Sequence, residues 1–453
     1  MLACCCATNA FALTFTEAME LARKNDPVFL SAQANKQAAK ERSNIAFASL
    51  LPQINFSGNT ARNDRKYVTR TDPETIGIQQ FGSRSAQFNL TQGLWRAADR
   101  IASTQADLAA QQGETQVMAA EQDLFVRFLQ AWLDLMSARD NIEFTVKQSA
   151  AASKLVDQTT RAAQLGLVSE PEIEDALARF ERAGAEQIAA EADQEDKISS
   201  LEQIIGATAR FEPPSLSRAR LPSGFPDMPL SQWLELAENA NPGIIAATYA
   251  ARAANEEIRK QQAGHQPTLD LTASYGRTSQ GVGTTPRDNG YANTQATIGL
   301  QLNIPIYSGG GQSAKVREAI ALREKAAQDL ETARRNVRSA GRQAWFGIQS
   351  GIAREKAAAQ AVKSASAAIR LATSGRQREL KTDLDVMQAT QQLYMARRDM
   401  RGASYAVMLS RIKLKAASGQ LTAQDVLALS DAFGPSSGAP VPAAERSPTT
   451  RHE

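Results

Sequence analysis

The sequence predicts a mixed α and β chain in which very long helices dominate, four strands form two hairpins, and the whole pattern occurs twice. Three observations predict it. The first is an internal repeat: LARKNDPVFLSAQANKQAAKE from Leu21 aligns without a gap on LAENANPGIIAATYAARAANE from Leu236, an offset of 215. The second is uninterrupted length, since residues 96–164 and 310–374 contain no proline. The third is strict alternation of apolar and polar residues in short stretches such as TIGLQLNIPIY.

Residues 1–12, MLACCCATNAFA, read as the remnant of a signal peptide, because Ala10-Phe11-Ala12 has the small residues of an export cleavage site. All three cysteines, Cys4 to Cys6, lie within it, and a lipid-anchor cysteine at Cys4 is the alternative. Cleavage after Ala12 would leave a chain with neither disulfides nor thiol chemistry.

The first repeat covers residues 13–205. A short and a medium helix lead to Pro52, where helix gives way to strand because proline rejects the helix interior. Strands are expected at about 52–66, carrying Ile54 and Phe56, and at about 85–95, carrying Ala86, Phe88, Leu90 and Leu94. The polar stretch between them, about 64–84, reads as a solvated loop. Helices follow at about 96–164 and 170–204. At 1.5 Å per residue the longest helices of the chain reach roughly 95 to 100 Å, beyond any ordinary globular helix.

A proline-rich linker, 206–229, leads to the second repeat, 230–418. Here Pro242 and Pro267 repeat Pro27 and Pro52, and near an offset of 213 Gln130-Ala131-Trp132 falls on Gln343-Ala344-Trp345, and Leu167 on Leu380. Strands are expected at about 267–278 and 295–307, joined by a polar loop near 277–294, with helices at about 310–374 and 383–418. In the last strand Ile298, Leu300, Leu302, Ile304 and Ile306 share one face, opposite Thr297, Gly299, Gln301 and Asn303. In the following helix Leu330, Ala333, Val337, Ala340, Ala344, Gly347 and Gly351 alternate spacings of three and four, a coiled-coil seam of mostly small residues. A final helix is expected within 419–433, and the Pro- and Ser-rich 434–453 reads as a disordered tail.

Composition narrows the function classes. A net charge of +3 spread over 453 residues has no concentrated basic face, so nucleic acid is not an expected partner. No apolar run approaches about 18 residues, so a membrane would be crossed by strands and not by a helix. The only histidines, His265 and His452, supply no material for a triad or a metal site. Gly309-Gly310-Gly311 opens a helix but lacks the Lys-Ser/Thr of a phosphate loop, so it reads as a flexible junction. No reaction and no cofactor are indicated. Four strands do not close a barrel, which needs about eight; two, three or four chains together would supply 8, 12 or 16.

The strand entries LLPQINFSGN and HQPTLDLTASYG, the junction LNIPIYSGGG, the turn QTTRAAQLGLVSEPEIEDALARFERA and the segment KTDLDVMQATQQLYMARRDM resemble the TolC-like outer-membrane efflux proteins across residues 14–430. The resemblance implies a homotrimer in which four strands per chain build one shared 12-stranded transmembrane barrel, continuous with a helical coiled-coil tunnel across the periplasm. Ile298, Leu300, Leu302, Ile304 and Ile306 would face outer-membrane lipid, and Trp95 and Tyr307 would sit at the membrane boundary. The linker 206–229 and the helix within 419–433 would form an equatorial belt.

The resemblance also implies a periplasmic entrance at the helix turns, with tips at Gly166 and Leu167 and at Glu379 and Leu380. Asp385 matches the outer of two aspartates that ring the entrance, Gln388 replaces the inner one, and Asp383 stands nearby. Lys381 and Glu172 match a gate link, while Arg376 replaces an aromatic gate residue. The partners implied are an inner-membrane transporter of the ABC or RND type and a periplasmic membrane-fusion adaptor, which together drive drugs or type I secreted proteins through a passive duct. The competing reading is a non-channel periplasmic coiled-coil spacer.

Overall fold

A computed structural model of the chain describes residues 13–69, 72–206, 228–282, 289–378, 380–430 and 433. The expected signal remnant, most of the inter-repeat linker and the tail therefore lie outside the described residues. Two compact units are present, one formed by Met1–Gln33, Val117–Ile244 and Arg334–Glu453, the other by Ala34–Gln116 and Ile245–Ala333.

The elements repeat in order. α1 (Phe15–Asn25), α2 (Pro27–Ala48), β1 (Gln53–Thr69), β2 (Asp72–Trp95), α3 (Ala97–Gln164) and α4 (Glu170–Ile205) are followed by α5 (Leu230–Ala240), α6 (Pro242–Ala263), β3 (Thr268–Gln280), β4 (Tyr291–Asn303), α7 (Gly311–Gln377) and α8 (Asp383–Ala417). A short α9 (Ala423–Leu427) is the last helix among the described residues, five residues where a helix within 419–433 was expected. α3 and α7 run 68 and 67 residues, about 100 Å each at the helical rise.

The two copies start their second helix in the same way. Asp26 accepts the Phe29 N–H at 2.7 Å in front of Pro27, and its repeat counterpart Asn241 accepts the Gly243 and Ile244 N–H groups at 2.9 and 3.3 Å in front of Pro242. Both side chains cap amides that have no intrahelical acceptor, and proline follows where its missing N–H costs nothing. Asp26 is 1% exposed, so its charge needs a partner: Arg127 reaches its two oxygens at 3.0 and 3.2 Å. These contacts outweigh burial and hold its carboxyl below the ordinary value. The repeat position of Arg127 is Ala340, and neutral Asn241 needs no cation. It donates instead to the Ala417 carbonyl at 3.0 Å.

The larger unit owes its core to the middle of α3. Leu124, Phe128 and Trp132 pack with Phe15 of α1, Leu201 of α4 and Phe433, and the Phe15 ring meets Trp132 edge-on at 5.2 Å. In the second copy Ala344 and Ile348 pack with Trp233 and Leu414. The small residues of the α7 seam have a direct cause: a Cβ at Gly347 would stand 2.8 Å from Ser410 Oγ, and one at Gly351 2.6 Å from Val407 Cγ2. Larger side chains there would push α8 off α7.

The other unit holds a four-stranded antiparallel sheet in the order β1-β2-β3-β4. Two expectations are corrected here. The stretch 64–84 is not a loop: β1 and β2 stay paired from Gln53↔Thr91 to Val68↔Ile76, and pairing ends at Thr69↔Asp72 after a register shift. Polar residues suit a strand that leaves the apolar zone, because the ladder satisfies the backbone whatever the side chains are. β4, expected to reach 307, stops at Asn303. Ile304, Ile306 and Tyr307 therefore lie beyond the strand, where Pro305 has no N–H to give a ladder.

Candidate functional site

The sheet has one apolar face, fixed by register. Ile54, Leu90, Ala273 and Ile298 stand in one row across the four strands, and Phe56, Phe88, Tyr275 and Ala296 in the next. Directly paired residues point the same way, and the Phe56 and Phe88 rings touch, with centroids 4.9 Å apart. Ile298, Leu300 and Leu302 of the same face are 75%, 67% and 61% exposed. Among the described residues nothing covers this apolar surface, which water disfavours and hydrocarbon does not.

At the helix end of the sheet, Trp95 closes β2 and carries the Arg100 guanidinium over its ring at 5.6 Å. Arg96 bonds both oxygens of Asp270 on β3, at 2.6 and 2.9 Å. The register slips between Gly93 and Trp95, and a Cβ at Gly93 would stand 2.9 Å from Arg96 Cδ. An added Cβ would therefore displace the Arg96 side chain, which the Asp270 bonds hold in place. Neither Arg96 nor Asp270 was singled out from sequence; a lone acid on the polar face of a strand entry was the available signal.

The helix turns belong to the other unit. Gly166 is left-handed at φ 73°, and Leu167 donates to the Ala162 carbonyl at 2.9 Å, a bond that closes the end of α3. In the second copy Leu380 donates to Gly375 at 2.8 Å, the same closure 213 positions on. Glu379, in the repeat position of Gly166, lies outside the described residues. Leu167 and Leu380 are 73% and 75% exposed.

Just past each turn the next helix begins, and here the two copies differ. Thr382 caps α8: its hydroxyl accepts the Asp385 N–H at 3.2 Å, while Asp385 accepts the Thr382 N–H at 2.9 Å and hydroxyl at 3.0 Å. Lys381 adds a bond to Asp385 at 3.3 Å, its stem lying over Gly375, where a Cβ would come within 2.7 Å of Lys381 Cγ. The Thr382 N–H, its hydroxyl and Lys381 hold the Asp385 carboxyl below the ordinary carboxylate range. Glu172, the repeat counterpart of Asp385, takes only a 3.4 Å bond from Ser169, which makes no side-chain cap.

Within the chain, then, Lys381 and Asp385 are brought together, and no bond joins Lys381 to Glu172 among the described residues. Gln388 and Arg376 are exposed, and the side chain of Asp383 lies outside the described residues. Among the described residues no group of three His, Cys, Asp or Glu side chains could hold a metal.

Comparison with known proteins fits a duplicated chain of this kind. The chain is 28% identical to outer membrane protein TolC of Vibrio cholerae, over 92% of this chain and 93% of that one. It is 27% identical to the proteases secretion protein PrtF of Dickeya chrysanthemi, over 94% of this chain and 92% of that one. The crystal structure of the Campylobacter jejuni CmeC outer membrane channel shares the fold at a TM-score of 0.76, 17% identity, and 93% and 90% coverage of the two chains. The sequence profile of outer membrane efflux proteins matches twice, over residues 18–207 and 233–420, once for each repeat. The chain therefore belongs to the outer membrane efflux protein family, a family of channels in the Gram-negative outer membrane and not of enzymes.

Proposed function

We propose that three copies of the chain join their sheets edge to edge into one 12-stranded barrel, and that the duct so formed passes drugs or type I secreted proteins outward through periplasm and outer membrane. One observation carries this reading: the sheet is an open stave. β1 and β4 each have a single strand partner, and Ile298, Leu300 and Leu302 lie bare on one face. In lipid every backbone group must be paired, so only a closed barrel is admissible. The family resemblance supports three staves. Ile298, Leu300 and Leu302, and Ile304 and Ile306 beyond the strand, are assigned to the lipid side, with Trp95 and Tyr307 at its boundary.

Asp385, Gln388 and Asp383 ring the periplasmic entrance in this reading, and Lys381, Glu172 and Arg376 contribute to its gate. Exposed ion pairs contribute about 0 to 1 kcal/mol each, so closure rests on several acting together. The duct is passive, and an inner-membrane ABC or RND transporter with its periplasmic adaptor supplies the energy. The protein relatives named for secretion and efflux support both cargo classes. Reconstitution in planar bilayers is expected to give cation-preferring conductance, and cross-linking a trimer. A stable monomer that never conducts, and that carbonate washes from membranes, would instead fit a periplasmic spacer.

A further inference from the structure

The apolar face of the sheet ends abruptly in arginine. Past the row of Phe56, Phe88 and Tyr275, the next row on that face carries Arg277, paired with Ala86. The row after it carries Arg84, paired with Thr60, and the one after that Arg62, paired with Gly82. The three arginines thus step diagonally over β3, β2 and β1, two residues outward at each strand. Diagonal neighbours of this kind stand about 7 to 8 Å apart, and the first lies about 7 Å along the strand from the last aromatic row. All three are exposed, and none has an ion-pair partner among the described residues.

At the other end of the sheet the charge is neutralised, with Arg96 held by Asp270 and Asp99. Among the described residues of the four strands, the cations without an ion pair lie at the end away from the helices. An acid, Asp64, follows Arg62 on the same face, but it is engaged by Gln80 at 3.0 Å.

We infer that Arg62, Arg84 and Arg277 form a site for the phosphate-bearing headgroups of lipids in the outward leaflet. Guanidinium groups bind phosphate oxygens two at a time, and a cation beside an apolar band is at home where acyl chains give way to headgroups. Continuity decides the occupant: acyl chains lie against Phe88, Tyr275 and Ile298, and the same lipid's phosphates meet the arginines. The inference rests on the lipid-facing assignment of that face.

The test uses the full chain in detergent, with bis-phosphorylated lipid A and its dephosphorylated form as probes, and bound lipid counted by native mass spectrometry. The wild type is expected to retain the phosphorylated probe, and R62Q/R84Q/R277Q to lose at least about ten-fold in retention. Dephosphorylated lipid A is expected to be held weakly by both, and millimolar inorganic phosphate is expected to displace little. Equal retention by variant and wild type, equal retention of the two probes, or displacement by inorganic phosphate would each overturn the inference. Conductance of the same preparations separates the two readings: a wild type that conducts without retaining lipid A refutes only the arginine site, and one that never conducts refutes the channel. If the triple variant does not conduct, Arg62→Gln in the two-stranded ribbon decides alone, by the same loss or its absence.

Discussion

Lys381 Nζ lies 3.3 Å from Asp385 Oδ1, one turn away on the same helix end. The residue matched to a gate cation thus partners, within its own chain, the residue matched to an entrance anion. Asp385 also accepts two bonds from Thr382, so one carboxylate starts α8 and, in the proposed reading, also charges the entrance. Replacing Asp385 by Asn separates these tasks, because the amide oxygen still accepts the Thr382 N–H. Anion permeability relative to cations is expected to rise in reversal-potential measurements, with assembly intact. An unchanged ratio would remove Asp385 from the constriction.

Acidification tests the same carboxylate. Its value is depressed below 3.8 by Thr382 and Lys381, so the charge is fully present above that value and is lost only as pH falls through the lower one. Cation preference is expected to persist through the ordinary carboxylate range and to fade only below it. Loss of selectivity well above that point would assign it to another group.

Gly166 is left-handed and open, with nothing within 4 Å of an added Cβ. Gly166→Ala therefore costs only backbone strain, about 1 kcal/mol. Faster hydrogen exchange at Leu167, without change at Leu380, is the expected signature.

The two N-terminal caps make a matched pair of substitutions. Arg127→Ala leaves the Asp26 carboxylate buried without its cation, a loss of about 3 kcal/mol. Asp26→Asn with Arg127→Ala recreates the neutral Asn241 and Ala340 arrangement of the second copy and is expected to recover most of that loss in denaturation. The wild-type contribution is present above the ordinary Asp value and lost as pH falls through the depressed one. A double variant as unstable as the single one would refute the charge explanation.

The duplication and the long helices were legible because proline and small residues mark them directly: Pro27 and Pro242 start the second helices, and Gly347 and Gly351 let α8 approach. The full length of β1 and β2 was not, since a polar strand in water looks like a loop. β4 read too long because Ile304 and Ile306 continue its alternation, while pairing stops ahead of Pro305. At the candidate site, sequence pointed to Asp385 and Lys381 but not to their mutual bond, which follows from capping geometry at Thr382. Asp26 and Asn241 escaped notice because the prolines after them carried the whole reading.

Beyond Gly82 the β1–β2 ribbon continues outward with β3 no longer alongside β2. There the two strands bond only each other, their outer edges are free for water, and β3 makes no bond to that stretch. In the proposed barrel that makes the outer end of the first hairpin a handle: an epitope grafted there is expected to be read by antibody on intact cells with conductance unchanged, and an epitope that antibody never reaches would refute that orientation.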